Sequence, residues 1–149
     1  MAFIIASVVL ILDQLTKFII TRQLSLHESL PVIKGIFHLT LIHNRGAAFG
    51  ILKNQVPLFI LTSIFAIGLI IFSLKDKKPK TRFNLYSFSL SLILAGALGN
   101  LIDRLILGYV IDFLDFRIWP VFNIADSAIT VGAILLGWTI LASKRSPSH

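Results

Sequence analysis

Two aspartates in an otherwise apolar stretch carry the chemistry of this chain. Gly96–Ser127 holds four of its seven acidic residues, Asp103, Asp112, Asp115 and Asp126, each with at least one hydrophobic neighbour in a sequence that is 56% hydrophobic. An ionised carboxylate in hydrocarbon costs several kcal/mol unless a partner or water meets it, so these positions are read first as functional. Asp112 follows the third apolar segment and Asp126 opens the fourth, which puts both at one membrane level. Two carboxylates held close resist double ionisation and share a proton. One then activates a water as general base while its protonated neighbour polarises a carbonyl, which is the chemistry of peptide hydrolysis. Other hydrolytic devices are missing from the sequence: there is no G-x-S-x-G, no H-E-x-x-H and no cysteine.

The elements that must position this pair are membrane spans. Mean hydropathy is +0.87, and several runs approach the ~20 apolar residues that cross a bilayer. The fold class expected is an α-helical integral membrane protein. Its four transmembrane helices lie at about 2–20, 56–74, 83–107 and 123–142, in one membrane-embedded domain over 1–149. The net charge of +7 does not indicate nucleic acid, because the basic residues gather at the ends of apolar runs. The dense run Lys75–Arg82 and the tail Lys144-Arg145 mark the cytoplasmic side, so both termini are expected there. The first segment carries Asp13, Gln14 and Lys17 and lacks a small-residue cleavage site, unlike a removed signal peptide.

Asp13 and Lys17 are spaced i,i+4 and can pair. They read either as an interfacial anchor, with Lys17 reaching the headgroups, or as a brace behind the polar centre. The outer loop at about 21–55 is long enough to have structure of its own. Phe37, Leu39 and Leu41 alternate with less apolar neighbours, a strand signal, and Asn44-Arg45-Gly46 is a turn signal. A small sheet lying on the bilayer is expected here. His38 and His43 come without a metal-site motif, and the reading calls for no metal and no cofactor. In the third segment Gly96, Ala97 and Gly99 permit close helix packing. Asn100, Asp103 and Arg104 follow on one face, as substrate contacts or as a clamp between helices. Gly108 ends that helix. Val110–Phe116 is too apolar for a free loop and is expected at the interface, with Trp119-Pro120 beside it. Asp126, in the first turn of the fourth segment, also suits a helix-capping role.

The blocks Asp13-Gln-Leu-Thr-Lys17, Asn44-Arg-Gly-Ala-Ala-Phe-Gly50, Gly96-Ala-Leu-Gly-Asn-Leu-Ile-Asp-Arg104, Val110-Ile-Asp112-Phe113 and Phe122-Asn-Ile-Ala-Asp126-Ser resemble, in order and over nearly the whole chain, the signature of bacterial lipoprotein signal peptidase (signal peptidase II). The resemblance implies an aspartic endopeptidase of the inner membrane. Such an enzyme removes the signal peptide of a prolipoprotein just before its diacylglyceryl-modified cysteine. It implies catalytic roles for Asp112 and Asp126, and a polar substrate floor from Asn44, Asn100, Arg104 and Asn123. Asp13, Lys17 and Asp103 would support, with Asp103 orienting Arg104. The family's outward β-cradle would match Ile36–Ile42, with the active site at the outer face. Its expected partners are lipidated prolipoproteins, membrane lipids and the cyclic-peptide inhibitor globomycin; no partner subunit is required, so a monomer is expected.

Two other classes compete. A proton-coupled transporter needs polar residues through the depth of several helices, and the second segment has almost none. A non-catalytic lipid-binding or assembly protein would use the same polar residues as helix clamps, and Asp112→Asn would then harm folding more than any activity.

Overall fold

The computed structural model describes residues 1–46, 55–76 and 84–144. Four α-helices, α1 (Ala2–Gln23), α2 (Val56–Asp76), α3 (Leu85–Leu107) and α4 (Ile124–Lys144), combine with three strands, β1 (Ser29–Ile33), β2 (Phe37–Asn44) and β3 (Val110–Asp115). All four helices are long and apolar enough to cross a membrane. The four expected spans are therefore present, with ends shifted by at most three residues. The basic stretch beyond Asp76 and the Ala47–Gly50 part of the second sequence block lie outside the described residues.

α3 is the central helix, packing against α1, α2 and α4. Its small residues make that possible. A Cβ on Gly96 would collide with the Ala125 carbonyl and lie 2.7 Å from Ile129 Cγ1, and one on Gly99 would lie 2.5 Å from Asp13 Oδ2. Gly132 returns the fit from α4, where a Cβ would meet the Ser89 carbonyl at 2.8 Å. With no hydrophobic drive between helices in lipid, such close approach supplies the packing energy. Large side chains point outward instead: Phe65 is 68% and Phe72 69% exposed, as bilayer-facing surfaces are.

The strands form one antiparallel sheet in the order β1-β2-β3. It sits where α1 and α3 end, and its inner face packs Leu41, Ile111 and Phe113 on Ile20 of α1 and on Leu24 just after it. Gly108 ends α3 in the left-handed conformation, at φ 77°, and its N–H reaches the Arg104 carbonyl at 3.1 Å. The chain then leaves directly into β3. Val110–Phe116 was expected to lie along the interface. Most of it is instead a buried strand paired with β2. Its apolar residues need a dry surface, and the sheet and helix ends supply one. Ile118 and Trp119 beyond it are exposed. The expected strand at Ile36–Ile42 is β2, but β1 carried no readable signal: all five of its residues are exposed, and Pro31 interrupts the pattern.

Candidate active site

Asp112 sits in β3, opposite Ile42 of β2 in the register. Two residues along, Asn44 at the end of β2 donates its Nδ2 to Asp112 Oδ2 at 2.9 Å. After β3 the chain turns back tightly. Arg117, at φ 67°, takes the turn, with its N–H on Asp115 Oδ1 at 2.8 Å. Phe122 then pairs with Leu114. That return delivers Asn123 beside Asp112 and starts α4, so Asp126 arrives on the first helical turn.

Asn123 is fully buried and every polar atom of its side chain is used. Its Nδ2 donates to Asp112 Oδ1 at 2.7 Å, Asn100 Oδ1 at 3.1 Å and the Ile111 carbonyl at 3.2 Å. Its Oδ1 accepts from the Asp126 N–H at 2.8 Å, which makes Asn123 the N-cap of α4. Capping, one reading of Asp126, thus falls to Asn123. The Asp126 side chain is free to turn toward α3, where it accepts from Asn100 Nδ2 at 2.7 Å.

A cavity of about 590 Å³ opens between α2, α3, α4 and the β3–α4 turn, and both Asp112 and Asp126 line it. Asn44, Asn100 and Arg104 share its polar wall, while Phe59, Ile93 and Ile129 are among its apolar sides. Arg104 stacks its guanidinium 5.0 Å above the Phe59 ring of α2. Burial, and after it the charge of Asp126, pushes the Asp112 carboxyl up to about 7, against the opposing pull of the Asn44 and Asn123 amides and Lys17. A water or amide in this cavity would meet a carboxyl poised near neutrality beside a second one, an arrangement suited to general acid–base chemistry.

Behind this wall lies a closed ionic cluster. Lys17 Nζ is 2.8 Å from Asp13 Oδ2 and 2.9 Å from Asp103 Oδ2, with all three side chains buried. Lys17 also donates to Asn100 Oδ1 at 3.2 Å, so the cluster braces the residue that holds Asp126. It does not snorkel to headgroups. Asp13 further accepts from the Ala125 N–H at 2.9 Å, and Asp103 from the Ile111 N–H at 3.1 Å. Gln14, for which the sequence indicates no role, donates to Asp103 Oδ1 at 3.0 Å and to the Gly99 carbonyl at 3.3 Å. Its position beside Asp13 and three residues before Lys17 is the sequence signal for that.

Two expectations are corrected by this geometry. Asp103 does not orient Arg104: successive helical side chains diverge by ~100°, so Asp103 turns to Lys17 while Arg104 turns to the cavity and bonds the Asn100 carbonyl at 3.4 Å. Asn123 is not part of the substrate floor, because it is wholly buried behind the two aspartates. Of the two histidines weighed as ligands, His38 Nδ1 lies 3.1 Å from Ser29 Oγ while its Nε2 is buried without a hydrogen bond, and His43 stacks on Tyr109.

The family model described as signal peptidase (SPase) II matches residues 5–142. The chain belongs to the signal peptidase II family. That makes it a membrane protease. A lipoprotein signal peptidase of Moorella thermoacetica is 51% identical over 138 residues, covering 93% of this chain and 91% of its own. One of Halothermothrix orenii is 47% identical over 137 residues, covering 91% and 92%. Two solved structures, described as bacterial membrane enzymes studied by the in meso method, superpose with TM-scores of 0.88 and 0.81 at 35% and 36% identity. They cover 99% and 98% of this chain, and 93% and 94% of the matched chains. The likeness of this signal peptidase II member to both extends through the sheet as well as the helices.

Proposed function

We propose that the protein is an aspartic endopeptidase that cleaves the signal peptide from diacylglyceryl-modified prolipoproteins immediately before the lipidated cysteine, with Asp112 and Asp126 as the catalytic dyad. The observation that carries this reading is that both carboxylates line one cavity, each tied down by an asparagine amide. In the reaction one carboxylate takes a proton from water as it attacks the scissile carbonyl. The protonated partner donates to the carbonyl oxygen, and a proton returned to the departing amine completes the cleavage. Pre-positioning by Asn44, Asn100 and Asn123 spares the dyad reorganisation during the step. Arg104, at the cavity wall, is placed to meet backbone carbonyls of the substrate.

The substrate class is the one that membership of the signal peptidase II family suggests. A diacylated cysteine stays in the bilayer, held at roughly 0.8 kcal/mol per buried methylene, and the enzyme has only to orient the amide. In this reading the sheet and dyad face the outer side of the bacterial inner membrane and both termini are cytoplasmic, as the Lys75–Arg82 run requires. The enzyme acts as a monomer, and globomycin would occupy the cavity. The test is cleavage of a diacylglyceryl-modified prolipoprotein in nanodiscs by the native chain, with globomycin and a chelator added in separate arms. Cleavage blocked by globomycin and indifferent to chelation supports the reading; an intact substrate overturns it.

A further inference from the structure

β3 carries two aspartates three residues apart, and successive side chains on a strand point to opposite faces. Asp112 lines the dyad cavity, and Asp115 points to the other face of the strand. There Asp115, only 5% exposed, accepts from the Thr40 hydroxyl at 2.7 Å, the Arg117 N–H at 2.8 Å and the Arg117 guanidinium at 3.0 Å. Burial pushes its carboxyl up, but these donors and the Arg117 charge outweigh burial and hold the group below its ordinary value. Asp115 therefore stays ionised while Asp112 is poised near neutrality, and it is not a third member of the acid–base pair.

The Thr40 proton is committed to this carboxylate, which can only accept. The 2.8 Å contact between Ser29 Oγ and Thr40 Oγ1 is then a bond donated by Ser29, and Ser29 Oγ in turn accepts from His38 Nδ1 at 3.1 Å. One chain of donors, all pointing the same way, crosses β1, β2 and β3 and ends on Asp115. What Asp115 clasps is a turn at odds with its own residue type. Arg117 is at φ 67°, where a Cβ is unfavourable and glycine is the usual occupant. Asp115 holds both its N–H and its guanidinium. The turn leads to Trp119, Pro120, Val121 and Phe122, all of which line the dyad cavity. Phe122 is fastened separately, its carbonyl accepting from the Phe113 and Leu114 N–H groups at 2.9 and 2.8 Å. Asn123 and α4 begin beyond that second fastening, so the turn is held from Asp115 and the two catalytic carboxylates from Asn123.

Resting on the peptidase reading, we propose that Asp115 is a positioning residue for the substrate: by fixing Arg117 it sets Trp119–Phe122 as a wall of the cavity, without placing either catalytic aspartate. The test is steady-state cleavage of a diacylglyceryl-modified prolipoprotein in nanodiscs by the full chain, with circular dichroism to confirm folding. Asp115→Ala is expected to raise KM about tenfold, the worth of one charge-assisted hydrogen bond, with kcat held within about twofold, the pattern of lost binding rather than lost chemistry. A purely structural loss would instead lower kcat through the folded fraction and leave KM alone. Asp115→Asn keeps an oxygen for the Arg117 N–H and should bring KM back towards native. Trp119→Ala removes part of the wall and leaves the clasp, so it should reproduce the rise in KM, and it decides the matter where Asp115→Ala does not fold. An unchanged KM in Asp115→Ala or Trp119→Ala, a fall in kcat alone, or Asp115→Asn no better than Asp115→Ala overturns the proposal. Native cleavage in the same assay keeps the peptidase reading standing in that event, whereas a native chain that leaves the substrate intact fails that reading itself.

Discussion

The Asn123 amide donates to Asp112 Oδ1 at 2.7 Å, and the same side chain caps the helix that carries Asp126. One residue thus fixes the position of one carboxylate and the starting point of the other. Asn123→Ala removes the cap and leaves Asp112 with one amide donor. A loss of about 1–2 kcal/mol of stability is expected from the cap, together with a fall in kcat and little change in KM, since Asn123 does not reach the cavity. Steady-state cleavage kinetics separate the two; a raised KM at unchanged kcat would place Asn123 on the substrate instead.

Asp112→Asn and Asp126→Asn are each expected to lower cleavage by about 10²–10⁴-fold, the range for removing a general acid or base, while the four-helix fold persists by circular dichroism. Either variant cleaving at the native rate would make that aspartate structural.

The pH dependence has a definite sign. The Asp112 carboxyl, ordinarily 3.8, is held at about 7 in the fold. A carboxyl raised in this way favours the folded state fully below its ordinary value, and that contribution is lost as pH rises through about 7. Thermal stability of the native protein should decline between pH 4 and pH 8, and Asp112→Asn should flatten that decline. Cleavage should fall above about pH 7 as the shared proton is lost. A native rate still rising at pH 9 would contradict a protonated Asp112.

Lys17→Met leaves Asp13 and Asp103 facing one another in a dry interior. Breaking a buried ion pair from one side costs about 3–5 kcal/mol, measurable as a lower midpoint in detergent-mediated unfolding. Adding Asp103→Asn to Lys17→Met should recover part of that loss. No destabilisation by Lys17→Met would show that the cluster is solvated.

Gly96→Ala should destabilise by about 1–3 kcal/mol, because the added methyl must displace the Ala125 backbone. The shift moves the start of α4 and with it Asp126, so activity should fall further than stability. Gly137→Ala, where a Cβ meets nothing within 4 Å, is the control and should be close to neutral.

Much of this was legible in the chain. The four spans follow from apolar runs of bilayer length, and the isolated aspartates stand out because of the cost of burying charge. Asp13 with Lys17 followed from helical spacing. What a linear pattern does not carry is which way a side chain turns once helices pack. Asp103 and Arg104 are neighbours in sequence and look like an ion pair, yet the ~100° turn between successive helical residues sends Asp103 to Lys17 and Arg104 to the cavity. Lys17 looked equally fit for the headgroups, and only its contacts with Asp103 and Asn100 across the helix interface decide that it braces the interior. β3 looked like an interfacial loop because strand pairing depends on a partner far away in sequence, here β2. Asn123 looked like a substrate contact because burial is a property of the assembled wall. Sequence by itself determined the membrane, the span number and the residue types able to do acid–base chemistry, since these rest on transfer energies and local periodicity. The tertiary structure alone decided that two aspartates from different elements open into one cavity, because that depends on α3 glycines letting α4 approach and on a tight return after β3.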